Sequence, residues 1–82
     1  MIVIVTAFNN TKGNTMCGNV AKSTNELPAQ GTGGNGTTTV QSSFIDNRFS
    51  GSIAFVVPTG YFYNVTTDGG SESLVGWIEV TL

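Results

Sequence analysis

Few side chains in this sequence could carry out chemistry, and the first of them is Cys17. The chain has no histidine and no second cysteine. A thiol becomes a nucleophile when a neighbouring base or positive charge favours the thiolate, and the usual base is missing here. We interpret Cys17 as a small apolar residue, and we expect neither a disulfide nor a metal site built on cysteine and histidine.

Asp68 and Glu72 are the second candidates, because they flank a pair of glycines. Two nearby carboxylates can act as acid and base, or can bind calcium. Catalytic carboxylates need a pocket that shifts their pKa, however, and calcium takes six or more oxygen ligands, which is more than this segment supplies. We predict a solvated turn at this place and no metal site.

Three glycines, Gly31, Gly33 and Gly36, match the spacing of a dinucleotide-binding loop. Such a loop lies between a strand and a helix, and the residues that follow, Thr37 to Val40, are poor helix formers. We therefore predict no phosphate site and no cofactor. Because we find no catalytic group of residues elsewhere in the sequence, we expect a protein that is not an enzyme.

Charge and hydropathy narrow the range of partners. Three basic residues against five acidic ones give a net charge of −2, so no basic stripe exists to neutralise nucleic acid. The apolar run from Met1 to Val5 has no basic segment before it and is far shorter than the roughly 20 residues that cross a bilayer. We interpret this run as a first strand, and we expect partners other than nucleic acid or membranes.

Turn-forming residues and alternating apolar residues divide the chain into six segments that favour strands. Within the second, Met16, Gly18 and Val20 would share one face. The six segments are residues 2–5, 15–22, 37–45, 52–57, 61–65 and 74–82. This pattern predicts one all-β domain over residues 1–82, a small antiparallel β-sandwich or flattened barrel of about six strands.

The connections between these segments differ in length. Residues 23–36 form a long Gly-rich loop, too rich in turn formers for a regular element, and such loops are either functional or mobile. The turn at Pro58 to Gly60 is expected to reverse the chain, and Asp68 to Gly70 is expected to form a hairpin turn.

The aromatic residues of segment 61–65, together with Trp77, are candidates for a binding surface, because Tyr and Trp dominate binding hot spots and can stack on sugars. Tyr61 and Tyr63 would point opposite to Phe62 on a strand, so some of these rings must leave the core. Core or subunit packing is the alternative interpretation of these rings and of Trp77.

The first strand is also a candidate for contact with another subunit. Ile2 to Val5 are apolar on both faces, which suits burial between two layers, contact with a neighbouring subunit, or pairing at a sheet edge. An 82-residue domain without a disulfide or metal also has reason to self-associate for stability. The predicted interface residues are Ile2, Ile4, Tyr61, Phe62, Tyr63 and Trp77.

The two ends of the sequence resemble the small β-sandwich modules of tailed-bacteriophage virion proteins, which occur as tail-fibre tips and as head or tail decoration proteins. The resemblance rests on the turn at residues 9–13, on the segment Ile53 to Tyr63 and on Trp77 to Val80. It covers about 50 residues and leaves 23–50 uncovered. It implies that Pro58, Gly60 and Tyr63 are structural, and that the module acts as a homotrimer without catalytic residues.

From this resemblance we expect a structural protein of the virion, synthesised in the host cytoplasm, that decorates the capsid and binds the major capsid protein or other virion proteins. Decoration is favoured over a fibre tip because the sequence has no heptads or repeats that would form a shaft. The alternative is a tail-fibre tip or a receptor- or carbohydrate-binding module that contacts a glycan on the host surface.

Overall fold

The computed structural model describes residues 1–9, 15–29, 37–43, 49–67 and 72–82. These residues form six strands and one single-turn 3-10 helix. The strands are β1 (Ile2–Asn9), β2 (Thr15–Ala21), β3 (Thr38–Ser43), β4 (Phe49–Val56), β5 (Phe62–Thr67) and β6 (Glu72–Val80), and the 3-10 helix is Thr24–Glu26. The predicted all-β class and the small antiparallel sandwich are confirmed.

The strands form two antiparallel sheets of three. Sheet A has the order β4-β1-β6 and sheet B the order β3-β2-β5. The first strand pairs with the last, and the second strand pairs with the fifth. This nested pairing is that of a long hairpin rolled up on itself, a winding shared with jelly rolls. It gives a flattened body with Cα extents of 37 × 26 × 14 Å.

The hairpin predicted at Asp68 to Gly70 is wrong, because β5 lies in sheet B while β6 lies in sheet A. The strands on either side of the Pro58 turn, β4 and β5, also lie in different sheets. The turn after β4 is nevertheless formed: the Tyr61 N–H donates to the Pro58 carbonyl at 3.0 Å, and Gly60 has a φ of +83°, as the third residue of a type II turn requires. Turn chemistry predicts a chain reversal and is silent on whether the two strands share hydrogen bonds. The residues of the other turn, 68–70, lie outside the described residues.

The core lies between the two sheets and follows the alternation of the strands. Val3 and Val5 of β1 are fully buried, and Ile53 and Phe55 of β4 are nearly so. From sheet B, Met16 and Val20 complete this core, together with Ala7 and Val57. The predicted shared face of Met16, Gly18 and Val20 is thus confirmed, and it points into the core.

Gly18 has a packing role in the middle of that face. A Cβ atom placed on it would lie 2.3 Å from a ring carbon of Phe55, much closer than any real contact. Val40 and Val65 flank Gly18 on the neighbouring strands. The ring of Phe55 therefore sits in the notch that the missing side chain leaves, and this notch sets how closely the two sheets approach.

The expectation that β1 pairs with another subunit at a sheet edge is wrong. β1 is the central strand of sheet A, with β4 on one side and β6 on the other over its full length. Its apolar residues are divided between the core, where Val3 and Val5 lie, and the opposite face, where Ile4 is 37% exposed.

The alternation expected for residues 74–82 is broken by a β-bulge. Thr6 pairs with Gly76, whereas the next residue, Ala7, pairs with Leu74, so Val75 is the extra residue. The register therefore places Leu74 on the side of Ala7 rather than on that of Ile78. A bulge inserts one residue into a period of two, and no residue type in this segment announces it.

Part of the predicted long loop covers the outer side of sheet B. The 3-10 helix Thr24–Glu26 contradicts the expectation of no regular element there. The Thr37 hydroxyl donates to the Glu26 carbonyl and the Asn64 amide donates to the Pro28 carbonyl, both at 2.8 Å. Residues 30–36, with the glycine motif, lie outside the described residues.

Candidate functional site

The face of sheet A that points away from sheet B is uncovered by the described residues, and we call it the outer face. It follows from the register: residues of β1 that alternate with the buried Val3 and Val5 stand beside their partners on β4 and β6. Two rows of the outer face are aliphatic, and they consist of Ile2, Ile4, Ala54, Val56, Ile78 and Val80.

The aliphatic rows are exposed to a degree that is unusual for such residues. Val56 is 56% exposed, Ile78 55% and Val80 44%. Among the residues of these three strands whose side chains the structure describes, none at an outward position is charged. Further along the face, the Thr6 and Ser52 hydroxyls form a hydrogen bond of 2.8 Å. From strand spacing and rise, the whole outer face of three strands of eight residues spans about 14 × 27 Å, or about 380 Å², and the two aliphatic rows make up about half of it. Contiguous exposed aliphatic side chains of this kind mark a candidate interaction site.

A second candidate is an aromatic cluster where β5 faces β6, consisting of Phe55, Tyr63, Trp77 and Glu79. Tyr63 contacts Phe55 edge to face, with ring centroids 5.6 Å apart, and Trp77 on its other side at 6.1 Å. The Trp77 Nε1–H donates to the Tyr63 hydroxyl at 3.1 Å. That hydroxyl in turn donates to the Glu79 carboxylate. The cluster therefore fastens the two sheets together along this side.

The electrostatics of the cluster agree with a structural role. Burial, and then the hydrogen bond to the Glu79 carboxylate, raise the pKa of Tyr63 above its ordinary value of 10.0, so the phenol stays protonated near neutral pH. Trp77 is 43% exposed, which leaves part of the indole open to a flat ligand. The indole N–H and the phenol, however, are already hydrogen bonded to each other and are not free to orient such a ligand.

A cleft of about 380 Å³ opens between the sheets on the side of β3 and β4. Its lining includes Val20, Val40, Phe55 and Pro58, and its polar side chains are the hydroxyls of Thr38 and Tyr61. Since none of the described residues that line it is charged, the cleft suits an apolar group and offers little to orient a polar substrate.

The six predicted interface residues separate into distinct places. Ile2 and Ile4 lie together on the outer face, and Tyr63 and Trp77 lie together in the aromatic cluster. Phe62 pairs with Ala21 and projects, 46% exposed, from the outer side of sheet B. Tyr61 lies at the end of the Pro58 turn, beside the cleft.

The prediction missed four members of the outer face: Ala54, Val56, Ile78 and Val80. A signal for them exists in the sequence, because residues 53–57 are apolar at every position rather than at alternate ones, which indicates a strand with two apolar faces. In β6 the aliphatic side would be assigned to the core because it is the more hydrophobic of the two. In the structure, the side of Trp77 and Glu79 points toward sheet B instead.

The described residues contain no group of three or more His, Cys, Asp or Glu side chains placed to hold a metal ion. No helix among them is long and apolar enough to cross a membrane. Comparison with protein-family models, with curated proteins and with solved structures finds no match to this chain. Functional inference therefore rests on the surfaces described above and on the resemblance of the sequence.

Proposed function

We propose that this chain is a non-enzymatic structural protein of a bacteriophage virion, with capsid decoration as its role. The observation that supports a binding role is the outer face: an uncharged aliphatic surface on a hydrogen-bonded sheet, left open by the residues that the structure describes. An aliphatic surface without hydrogen-bonding side chains discriminates poorly among sugars or nucleotides, but it suits an apolar patch on another protein. The location in a virion is supported by the sequence resemblance.

In this proposal the partner that covers the outer face is the major capsid protein or another virion protein. The sandwich supplies a preformed surface, so little ordering entropy is lost on binding. The resemblance also implies that the chain associates with itself as a homotrimer, and self-association would supply the stability that a small core lacks.

The test is occupancy of the particle. Particles purified from the phage that encodes the chain are expected to contain it, as measured by mass spectrometry. When particles that lack the protein are incubated with purified chain, the double variant Val56→Thr with Val80→Thr should bind at least about tenfold more weakly than the wild type, because both changes keep the side-chain shape and replace a methyl group with a hydroxyl.

Phe62→Thr is the matched control, because Phe62 is as exposed as Val80 but lies on the other sheet. It should bind like the wild type. Purified particles without the protein would overturn the proposal, and equal binding by the double variant and the wild type would remove the outer face from it.

The alternative function is a tail-fibre tip or a carbohydrate-binding module, and the observation that favours it is the half-exposed indole of Trp77. Adsorption to host cells and binding to a glycan array would separate the two functions. In the alternative, Trp77→Ala abolishes adsorption and the outer-face double variant does not; in the proposed function the reverse holds for particle binding.

A further inference from the structure

The free edge of β6 is the second open feature of sheet A. On one side β6 pairs with β1, and in the part of the chain that the structure describes no strand lies on its other side. The other edge of sheet A, β4, lies beside β3. β6 is nine residues long, and beyond its bulge it carries one charge, Glu79, and neither lysine nor proline, the residues that usually protect an edge.

The register identifies which backbone groups face outward. Met1 and Val57 exchange two hydrogen bonds, with N···O distances of 3.1 and 2.8 Å. Because bonded and non-bonded pairs alternate along an antiparallel ladder, Val3 also faces β4, while Ile2 and Ile4 face β6. Their partners there are Val80 and Ile78.

It follows that Ile78 and Val80 use their N–H and C=O groups on β1. The N–H and C=O groups of Trp77 and Glu79 then point away from the sheet. Four backbone groups on a strand segment without a bulge, which carries one charged residue, are thus available to another strand.

We propose that two copies of this chain pair antiparallel through residues 76–80 of β6, about a two-fold axis at Ile78. In this register Trp77 of each copy exchanges backbone hydrogen bonds with Glu79 of the other. The two Ile78 side chains form the central non-bonded pair. A register centred on Glu79 would oppose two carboxylates, which is unfavourable, and one centred on Trp77 would bring the bulge at Val75 into the ladder.

The occupant is a second copy because the edge is self-complementary and because pairing enlarges the outer face. A two-fold axis perpendicular to the sheet keeps both outer faces on the same side, so two faces of about 380 Å² become one of about 760 Å², close to the roughly 800 Å² per partner of a standard interface. The pairing joins copies in twos, and so it replaces the trimer that the resemblance implies. Use of the enlarged face on a capsid rests on the proposed function, whereas the pairing itself does not.

The first test is the mass of the purified chain by light scattering across a dilution series, with cross-linking of Ile78→Cys. A dimer is expected. At a non-bonded antiparallel pair the two Cβ atoms are close enough for a disulfide, so copper phenanthroline, as the oxidant, should convert Ile78→Cys to a covalent dimer. Val56→Cys is the matched control on the far edge of the same face, and it should stay monomeric on a non-reducing gel. Cys17 is buried and does not interfere.

Hydrogen exchange gives a readout that needs no variant. The amides of Trp77 and Glu79 should be protected in the dimer and should lose that protection on dilution. The outward-facing amide of Ala54 on β4 should show no such dependence on concentration. A monomer, a trimer, or amides of Trp77 and Glu79 that exchange independently of concentration would overturn the pairing. None of these outcomes would remove the protein from purified particles, so the two proposals fail separately.

Discussion

The outer sides of the two sheets differ in which residues they bury: sheet B buries polar residues, whereas sheet A exposes aliphatic ones. On sheet B, Asn19 is fully buried and Thr66 is 8% exposed, whereas on sheet A Val56 and Ile78 are more than half exposed. The polar side is closed and the aliphatic side is open. Hydrophobicity alone would assign these positions the other way round.

The difference has a structural cause on sheet B. The Asn19 amide donates to Asn64 at 2.9 Å and to Thr66 at 3.0 Å, and its oxygen accepts from the Thr39 hydroxyl at 3.0 Å. The Asn64 amide in turn donates to the Pro28 carbonyl, which lies in residues 23–29, the covering segment on the outer side of sheet B. Sheet B is thus covered by its own chain, with its polar groups paired. Sheet A has no such cover among the described residues, and we infer that a partner supplies it.

The largest effect is expected from breaking the closed side with Asn19→Ala. This change removes three hydrogen bonds, of which the one to Thr66 is buried and those to Asn64 and Thr39 are part-buried, and it should lower the free energy of unfolding by about 3 kcal/mol. Urea denaturation at a low protein concentration measures it. Thr24→Ala, at an exposed site of the covering segment, is the control and should remain near the wild type. A loss below about 1 kcal/mol for Asn19→Ala would mean that the closed side does not depend on this network.

The second largest effect is expected from Gly18→Ala, which tests whether the close packing of Phe55 against Gly18 sets the distance between the two sheets. The added Cβ would overlap the ring of Phe55, and overpacking of this kind costs about 2 kcal/mol. The double variant Gly18→Ala with Phe55→Leu replaces the ring with a smaller side chain and should recover part of the lost stability. The double-mutant cycle should therefore be non-additive. Additive losses would contradict the close contact.

Part of this arrangement could be predicted from the sequence. Period-two alternation predicts which residues of β2 and of β4 share a face, because successive strand residues point to opposite sides, and those two faces meet in the core. Pairing partners could not be predicted in the same way. The turn residues at Pro58 and Gly60 describe a local reversal, and the assignment of β4 and β5 to different sheets depends on which sequence-distant strands pack best.

The candidate site was predicted less well than the fold, for a related reason. Ile2 and Ile4 were selected because their strand is apolar throughout, but the remaining outer-face residues were not, since Ile78 and Val80 look like core residues in a one-sided alternation. Asn19 gave no sign of burial, because asparagine is usually exposed. Its burial depends on Thr39, Asn64 and Thr66, which only the register brings beside it.

A smaller effect is expected where the two sheets meet at Tyr63. Its raised pKa means that the folded state holds the phenolic proton more tightly than the unfolded chain. This contribution to stability is complete below about pH 10, and it is lost as the pH rises through the higher folded value. Tyr63→Phe should cost at most about 1 kcal/mol at neutral pH and should lessen the fall in stability above pH 10, measured by urea denaturation. Tyr61→Phe should retain the fall, and an equal loss in both variants would contradict the role given to Tyr63.

The smallest effect on stability is expected on the open side, and it is the most informative for the comparison. Val56→Thr and Val80→Thr replace exposed methyl groups and keep β-branched side chains, so each should change the free energy of unfolding by less than about 0.5 kcal/mol. Replacing a residue that stabilises the isolated fold would lower the free energy of unfolding by more than this. A loss of about 2 kcal/mol or more would show that the outer face is covered within the chain itself, and the contrast between the two sheets would disappear. A nearly unchanged free energy of unfolding together with weaker binding to particles would instead mean that these aliphatic residues contact a partner outside the domain.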